Sequence, residues 1–141
     1  LLALLISTIT ITQAQTVTPF ITDGCTGYFD GTWRDCCVEH DFRYWVGGEL
    51  KQKTEADLRL RECVRSKNAP IHAWLIYHGV RLGHYSPIKL RDQEWGNGLS
   101  LPQMNRKLTS TEIDSFINEL SKAKQSDELK TSFLNYLLKR A

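Results

Sequence analysis

TDGCTGYFDGTWRDCCVEHDFRYW, residues 22–45, decides the fold when it is set beside KTEADLRLREC, residues 53–63. The first half is turn-forming: Gly24, Gly27 and Gly31 are interspersed with Asp23 and Asp30, a composition that interrupts regular structure. From Arg34 the character changes. A helix is expected to about Val46, where Gly47-Gly48 supplies a stop. On that helix Cys36, His40 and Tyr44 recur at i, i+4 and i+8 and share a face. Cys37, Asp41 and Tyr44 form a second stripe, about 100° away at the helical turn per residue. A second helix is expected over 53–66, rich in Ala, Leu, Arg and Glu, and Pro70 bars its extension.

Four cysteines in a short chain favour two disulfides over free thiols. A bridge between the neighbours Cys36 and Cys37 is strained, which leaves two pairings. Cys36–Cys63 uses the face that looks toward the second helix, and Cys37 then points the other way, to Cys25. If the two helices are antiparallel, Asp57 stands across the seam midway between His40 and Tyr44. A carboxylate there can accept hydrogen bonds from both the imidazole and the phenol. That is the arrangement of a proton-accepting base and its orienting acid. Because Asp41 lies one turn beyond Cys37, the Cys25–Cys37 bridge draws the Asp23-Gly24-Cys25 turn toward it. Two carboxylates and a loop carbonyl make a hard-cation site of the kind calcium prefers.

Outward from this centre, residues 69–82 read as a third, largely apolar helix whose aromatic residues are expected in the core. Trp33, Phe42 and Trp45 are expected there too. Residues 83–101, with Pro87, Gly96, Asn97 and Gly98, read as an irregular connector. In the tail, Thr109 and Glu112 have capping-box spacing ahead of Ile113, Phe116, Ile117 and Leu120. Residues 127–140 repeat the pattern with Leu129, Phe133, Tyr136 and Leu137. These are two amphipathic helices, read as a stabilising extension over residues 102–141 rather than a membrane-docking device.

The uncharged run LLALLISTITITQA, residues 1–14, reads as a front-truncated secretory signal with cleavage after Ala14, ahead of a domain over residues 15–101. The chain's 141 residues suffice for one compact domain and little more. Its 18 Lys and Arg against 16 Asp and Glu leave a formal charge of +2, so nothing demands a nucleic-acid partner.

DCCVEHDFRY, residues 35–44, resembles the Cys-Cys-x-x-His-Asp-x-x-Tyr signature of secreted phospholipases A2. The Asp57-to-Cys63 spacing is similar to that family's second active-site helix, and Thr22-Asp23-x-Cys25 resembles its bacterial branch. The likeness covers roughly residues 22–65. It implies an all-α fold: a small disulfide-linked core of two antiparallel helices with a calcium loop, a third helix and the C-terminal helical extension. It also implies calcium-dependent hydrolysis of the sn-2 ester of glycerophospholipids. Carried over, the Asp23 and Asp41 side chains and the Gly24 carbonyl hold Ca2+, with Asp30 in reserve. His40 is the general base, Asp57 orients it and Tyr44 supports the pair. The implied protein is secreted or periplasmic and monomeric, and it meets phospholipid at a membrane surface. Two positions depart from the family pattern: Thr26 stands where a glycine amide usually binds the oxyanion, and Arg43 where a further cysteine would sit. A competing reading is a non-catalytic secreted binding or toxin-like module on the same scaffold. A zinc site from Cys36, Cys37 and His40 has the wrong spacing for a tetrahedral clamp. His72, His78 and His84 are read as ordinary surface or core residues.

Overall fold

A computed structural model describes residues 16–88, 93–101 and 104–141. Residues 1–14, read above as a secretory signal, lie outside them. The first helix, α1 (Arg34–Val46), has the bounds that its glycine stop and its apolar periodicity imply. Gly47 ends it at φ 73°, and a Cβ there would lie 2.6 Å from the Gly96 Cα. A side chain at 47 is therefore excluded twice over, by backbone conformation and by space. The close approach lets the Gly96 N–H donate to the Tyr44 carbonyl at 2.8 Å, which seats the connector against the end of α1.

The second helix, α2 (Leu50–Ser66), starts three residues before the expected 53. Glu49 and Gln52 form a reciprocal capping box, the Gln52 side chain accepting the Glu49 N–H at 2.9 Å. A Glu in the N-cap position hides the start from a search for Ser, Thr, Asp or Asn. The third, α3 (Pro70–Gly83), opens on Pro70, whose missing N–H costs nothing in a first turn. A short 3-10 turn (Asn97–Leu99) lies in the connector. In the tail, α4 (Ser110–Lys122) begins at the Thr109–Glu112 capping box and α5 (Asp127–Leu138) at a Ser126 cap. Among the described residues the fold is all-α, with five α-helices and no strand.

Both disulfides, Cys25–Cys37 and Cys36–Cys63, are formed, and no cysteine is free. The second joins the start of α1 to the end of α2. Tyr44, near the end of α1, reaches Asp57, nearer the start of α2, so the two helices run antiparallel.

Helix α1 divides two apolar clusters. On one side Cys36 and Cys37 pack with Leu60 and Val64 of α2 and Ala73 and Ile76 of α3. On the other, Val38, Phe42, Trp45 and Val46 meet the N-terminal segment and the tail. The Phe133 ring of α5 stacks on Phe42 with centroids 3.9 Å apart and planes 5° from parallel. Phe116 of α4 meets Trp45 edge-on at 4.7 Å. Residues of the tail from Met104 on thus share a core with α1 and the N-terminal segment, and the tail is built into the fold. The extended segment over residues 16–22 is held where Trp45 Nε1–H donates to the Thr18 carbonyl at 2.8 Å.

One expectation fails at α3. Of its apolar side chains only Ala73 and Ile76 are fully buried, and Trp74 is 59% exposed. A helix with apolar side chains on more than one side does not declare which side faces the core. No helix among the described residues is long and apolar enough to cross a membrane.

Candidate functional site

The pairing of α1 with α2 carries His40 and Tyr44 onto Asp57, as their spacing requires. Asp57 is wholly buried and His40 is 8% exposed. Oδ1 of Asp57 lies 2.9 Å from His40 Nε2 and accepts the Tyr44 hydroxyl at 2.7 Å. The other oxygen, Oδ2, accepts from Arg81 NH1 at 3.1 Å and stands 3.7 Å from His84 Nε2. A buried carboxylate satisfied on both oxygens is affordable only with such partners.

The charges assign the protons. Burial pushes the Asp57 carboxyl up, but the hydrogen bonds it accepts from His40 and Tyr44 hold it below the ordinary carboxylate value. An ionised carboxylate has no proton to donate. His40 must therefore donate from Nε2, and in the neutral form of the ring Nδ1 keeps its lone pair. Among the described residues Nδ1 has no hydrogen-bond partner. Burial, and then the Asp57 charge, pushes the Tyr44 phenol far above its ordinary value, so it stays protonated and gives its one proton to Asp57. Its contact with His84 Nε2, at 2.7 Å, then has His84 as donor. Burial, and then the Lys53 charge, lowers His84 to about 4, which leaves its ring neutral at pH 7. The result is a buried network in which the Nδ1 of each neutral ring, His40 and His84, is left without a proton.

Arg81 and His84 were not expected here. Arg81 sits on α3 and His84 caps its C-terminal end, with Tyr77 at i, i+4 and i+7, a polar stripe beside the one that buries Ala73 and Ile76. That spacing is the available signal, but it points to Asp57 only once α3 is known to pack across α2.

The loop ahead of α1 is brought to Asp41, as the Cys25–Cys37 bridge implies. The Thr22 hydroxyl donates to Asp41 Oδ2 at 2.6 Å and accepts the Gly24 N–H at 3.1 Å. Asp23 accepts the Thr26 hydroxyl at 2.5 Å. Asp30 accepts the Cys25 N–H at 3.0 Å, and its carboxylate fills the space a Cβ on Gly24 would need. The side-chain donors here are thus carboxylate and hydroxyl oxygens, of the kind calcium takes. Among the described residues no three His, Cys, Asp or Glu side chains gather around one point. The set therefore fits an ion in kind only with the Gly24 carbonyl and water completing the shell. A crease too narrow to hold a water molecule, lined by Cys36, Glu39, His40, Arg59 and Leu60 among others, follows the seam of α1 and α2. No family model matches the chain, and no curated protein or solved structure is significantly similar to it.

Proposed function

We propose that the protein is a secreted or periplasmic lipid esterase of the phospholipase A2 type, hydrolysing the sn-2 ester of glycerophospholipids. The observation that carries this reading is the buried Asp57 carboxylate, which accepts hydrogen bonds from His40 Nε2–H and the Tyr44 hydroxyl together, so that Nδ1 is the unprotonated nitrogen of the neutral His40 ring. A carboxylate so placed fixes the ring and favours the imidazolium that forms when Nδ1 accepts a proton. His40 removes a proton from a water molecule, and the resulting hydroxide adds to the ester carbonyl carbon. On collapse the carbon–oxygen bond to glycerol breaks, and His40 returns the proton to the departing oxygen. No Ser or Cys nucleophile is called for, in keeping with four bridged cysteines.

Calcium held by Asp23, Asp41 and the Gly24 carbonyl would supply Lewis-acid polarisation of the ester and balance the oxyanion charge. The Thr22–Asp41 contact supports that assignment because it keeps the loop against α1. The test is fatty-acid release from phospholipid vesicles by oxidised protein in millimolar calcium. Release is expected, and His40→Asn should lower it by about 10²- to 10⁴-fold, the usual contribution of a general base. No release by the unaltered protein across several headgroups would defeat the proposal and favour a non-catalytic binding module.

A further inference from the structure

The Asp57 carboxylate is held from two helices. Its Oδ1 accepts from His40 and Tyr44, both on α1. Its Oδ2 accepts from α3, where Arg81 NH1 donates at 3.1 Å. Packing delivers that donor. Ala73 and Ile76 close on Leu60 and Val64 of α2, and Arg81 follows Ile76 by five residues, reaching the earlier part of α2 that carries Asp57. Asp57 is wholly buried while the Arg81 side chain is 37% exposed, so the guanidinium reaches inward from the surface. His84 cannot take its place. Its Nε2 stands 3.7 Å from Oδ2, beyond hydrogen-bond distance, and its proton is engaged by the Tyr44 hydroxyl.

A carboxylate turns about its Cβ–Cγ bond unless both oxygens are engaged. Here the donor at Oδ2 fixes the plane, and Oδ1 stays on His40 and Tyr44. Without Arg81 the buried Oδ2 loses that hydrogen bond, an unfavourable state that a turn of the carboxylate or a captured proton relieves. Either escape disturbs the imidazole. A turned carboxylate weakens the bond it accepts from Nε2–H. A protonated one can donate to Nε2 instead, and the neutral ring then carries its proton on Nδ1.

We propose that Arg81 is a positioning residue: by holding Oδ2 of Asp57 it keeps Oδ1 on His40 Nε2–H, and so keeps Nδ1 of His40 bare. That this serves turnover rests on the hydrolase reading above. That it sets the state of the His40 ring does not.

The test compares the full chain with Arg81→Met, which keeps an apolar stem and removes the donor, and with Arg81→Lys, which restores a cationic donor. Proton–nitrogen NMR reads the His40 ring, and circular dichroism checks that the helices are retained. In Arg81→Met the Nε2–H signal should shift or broaden, or a proton should appear on Nδ1; Arg81→Lys should largely restore the original signals. Arg106→Met is the control. It removes a comparable pair in the tail, between a part-exposed Arg106 and a buried Glu112 at 2.7 Å, and should leave the His40 signals unchanged. On a monomerically dispersed short-chain phospholipid, Arg81→Met should lower kcat by about tenfold or more with KM kept, as misplacement of a catalytic group does. Should Arg81→Met not fold, Arg81→Gln, shorter and neutral, is read in the same way. Unchanged His40 signals in a folded Arg81→Met chain would overturn the proposal, and so would an equal change in Arg106→Met. An unchanged kcat beside altered His40 signals would overturn its part in turnover. If the unaltered chain hydrolyses nothing while the His40 signals respond as expected, the hydrolase reading fails and the positioning of the ring stands.

Discussion

Replacing Asp57 removes the acceptor on which three side chains converge, and its cost can be worked from their exposure. In Asp57→Ala the His40 Nε2–H and the Tyr44 hydroxyl lose their partner while remaining inside the protein. Tyr44 can turn its proton toward His84 Nε2, at 2.7 Å, once that ring shifts its own proton to Nδ1. Arg81, with its side chain 37% exposed, can rehydrate and adds little. What remains is one orphaned imidazole donor, a lost charge-assisted pair and a small cavity, together roughly 3–5 kcal/mol. Asp57→Asn should cost less, about 1–3 kcal/mol, because its Oδ1 can still accept from His40 and Tyr44 without the charge. In the amide, Nδ2 replaces Oδ2 and faces Arg81 NH1, donor against donor. Urea unfolding, followed by far-ultraviolet circular dichroism with m held common, measures both. If Asp57→Ala unfolds within about 0.5 kcal/mol of the unaltered protein, the buried network is not formed and the site reasoning fails.

Phe133→Ala should destabilise by about 3–5 kcal/mol, because the ring is 1% exposed and stacked on Phe42; guanidinium unfolding checks it. His84 has a folded value of about 4, below its ordinary 6.5, so the unfolded chain binds the extra proton. Stability should therefore fall as pH drops from about 6.5 toward 4, by roughly 2–3 kcal/mol, and His84→Asn should flatten that slope in unfolding measured at several pH values. Reduction of the disulfides should destabilise most through Cys36–Cys63, which closes the longer span of 27 residues and is the disulfide that joins α1 to α2. Replacing that pair with Ala should cost about 3–4 kcal/mol, read as a lower unfolding midpoint under oxidising conditions.

Much of the site was legible because it lies on two helices with regular spacing. Once Cys36 and Cys63 are joined, helical geometry leaves Asp57 little choice but to meet His40 and Tyr44. The bounds of α1 were legible because Gly47-Gly48 is an unambiguous stop. Local reading failed where the determinant was distant or unusual. The start of α2 rests on a Glu49 cap. Arg81 and His84 join the network only because α3 crosses back over α2, which no local pattern specifies. The aromatic content of α3 pointed inward by composition, yet the stripe that Ala73 and Ile76 select turns Trp74 to the outside. The tail's amphipathic faces were visible, but not that Phe133 and Phe116 complete the core around Phe42 and Trp45.

The protonation of His40 tests the centre of this account most directly. Long-range proton–nitrogen NMR correlations on the folded, nitrogen-labelled protein near neutral pH distinguish the two ring tautomers. A neutral His40 ring protonated at Nε2 and bare at Nδ1, changed by Asp57→Asn, is the expected result. A proton found on Nδ1 in the neutral ring would contradict it, since no base would then remain to activate water.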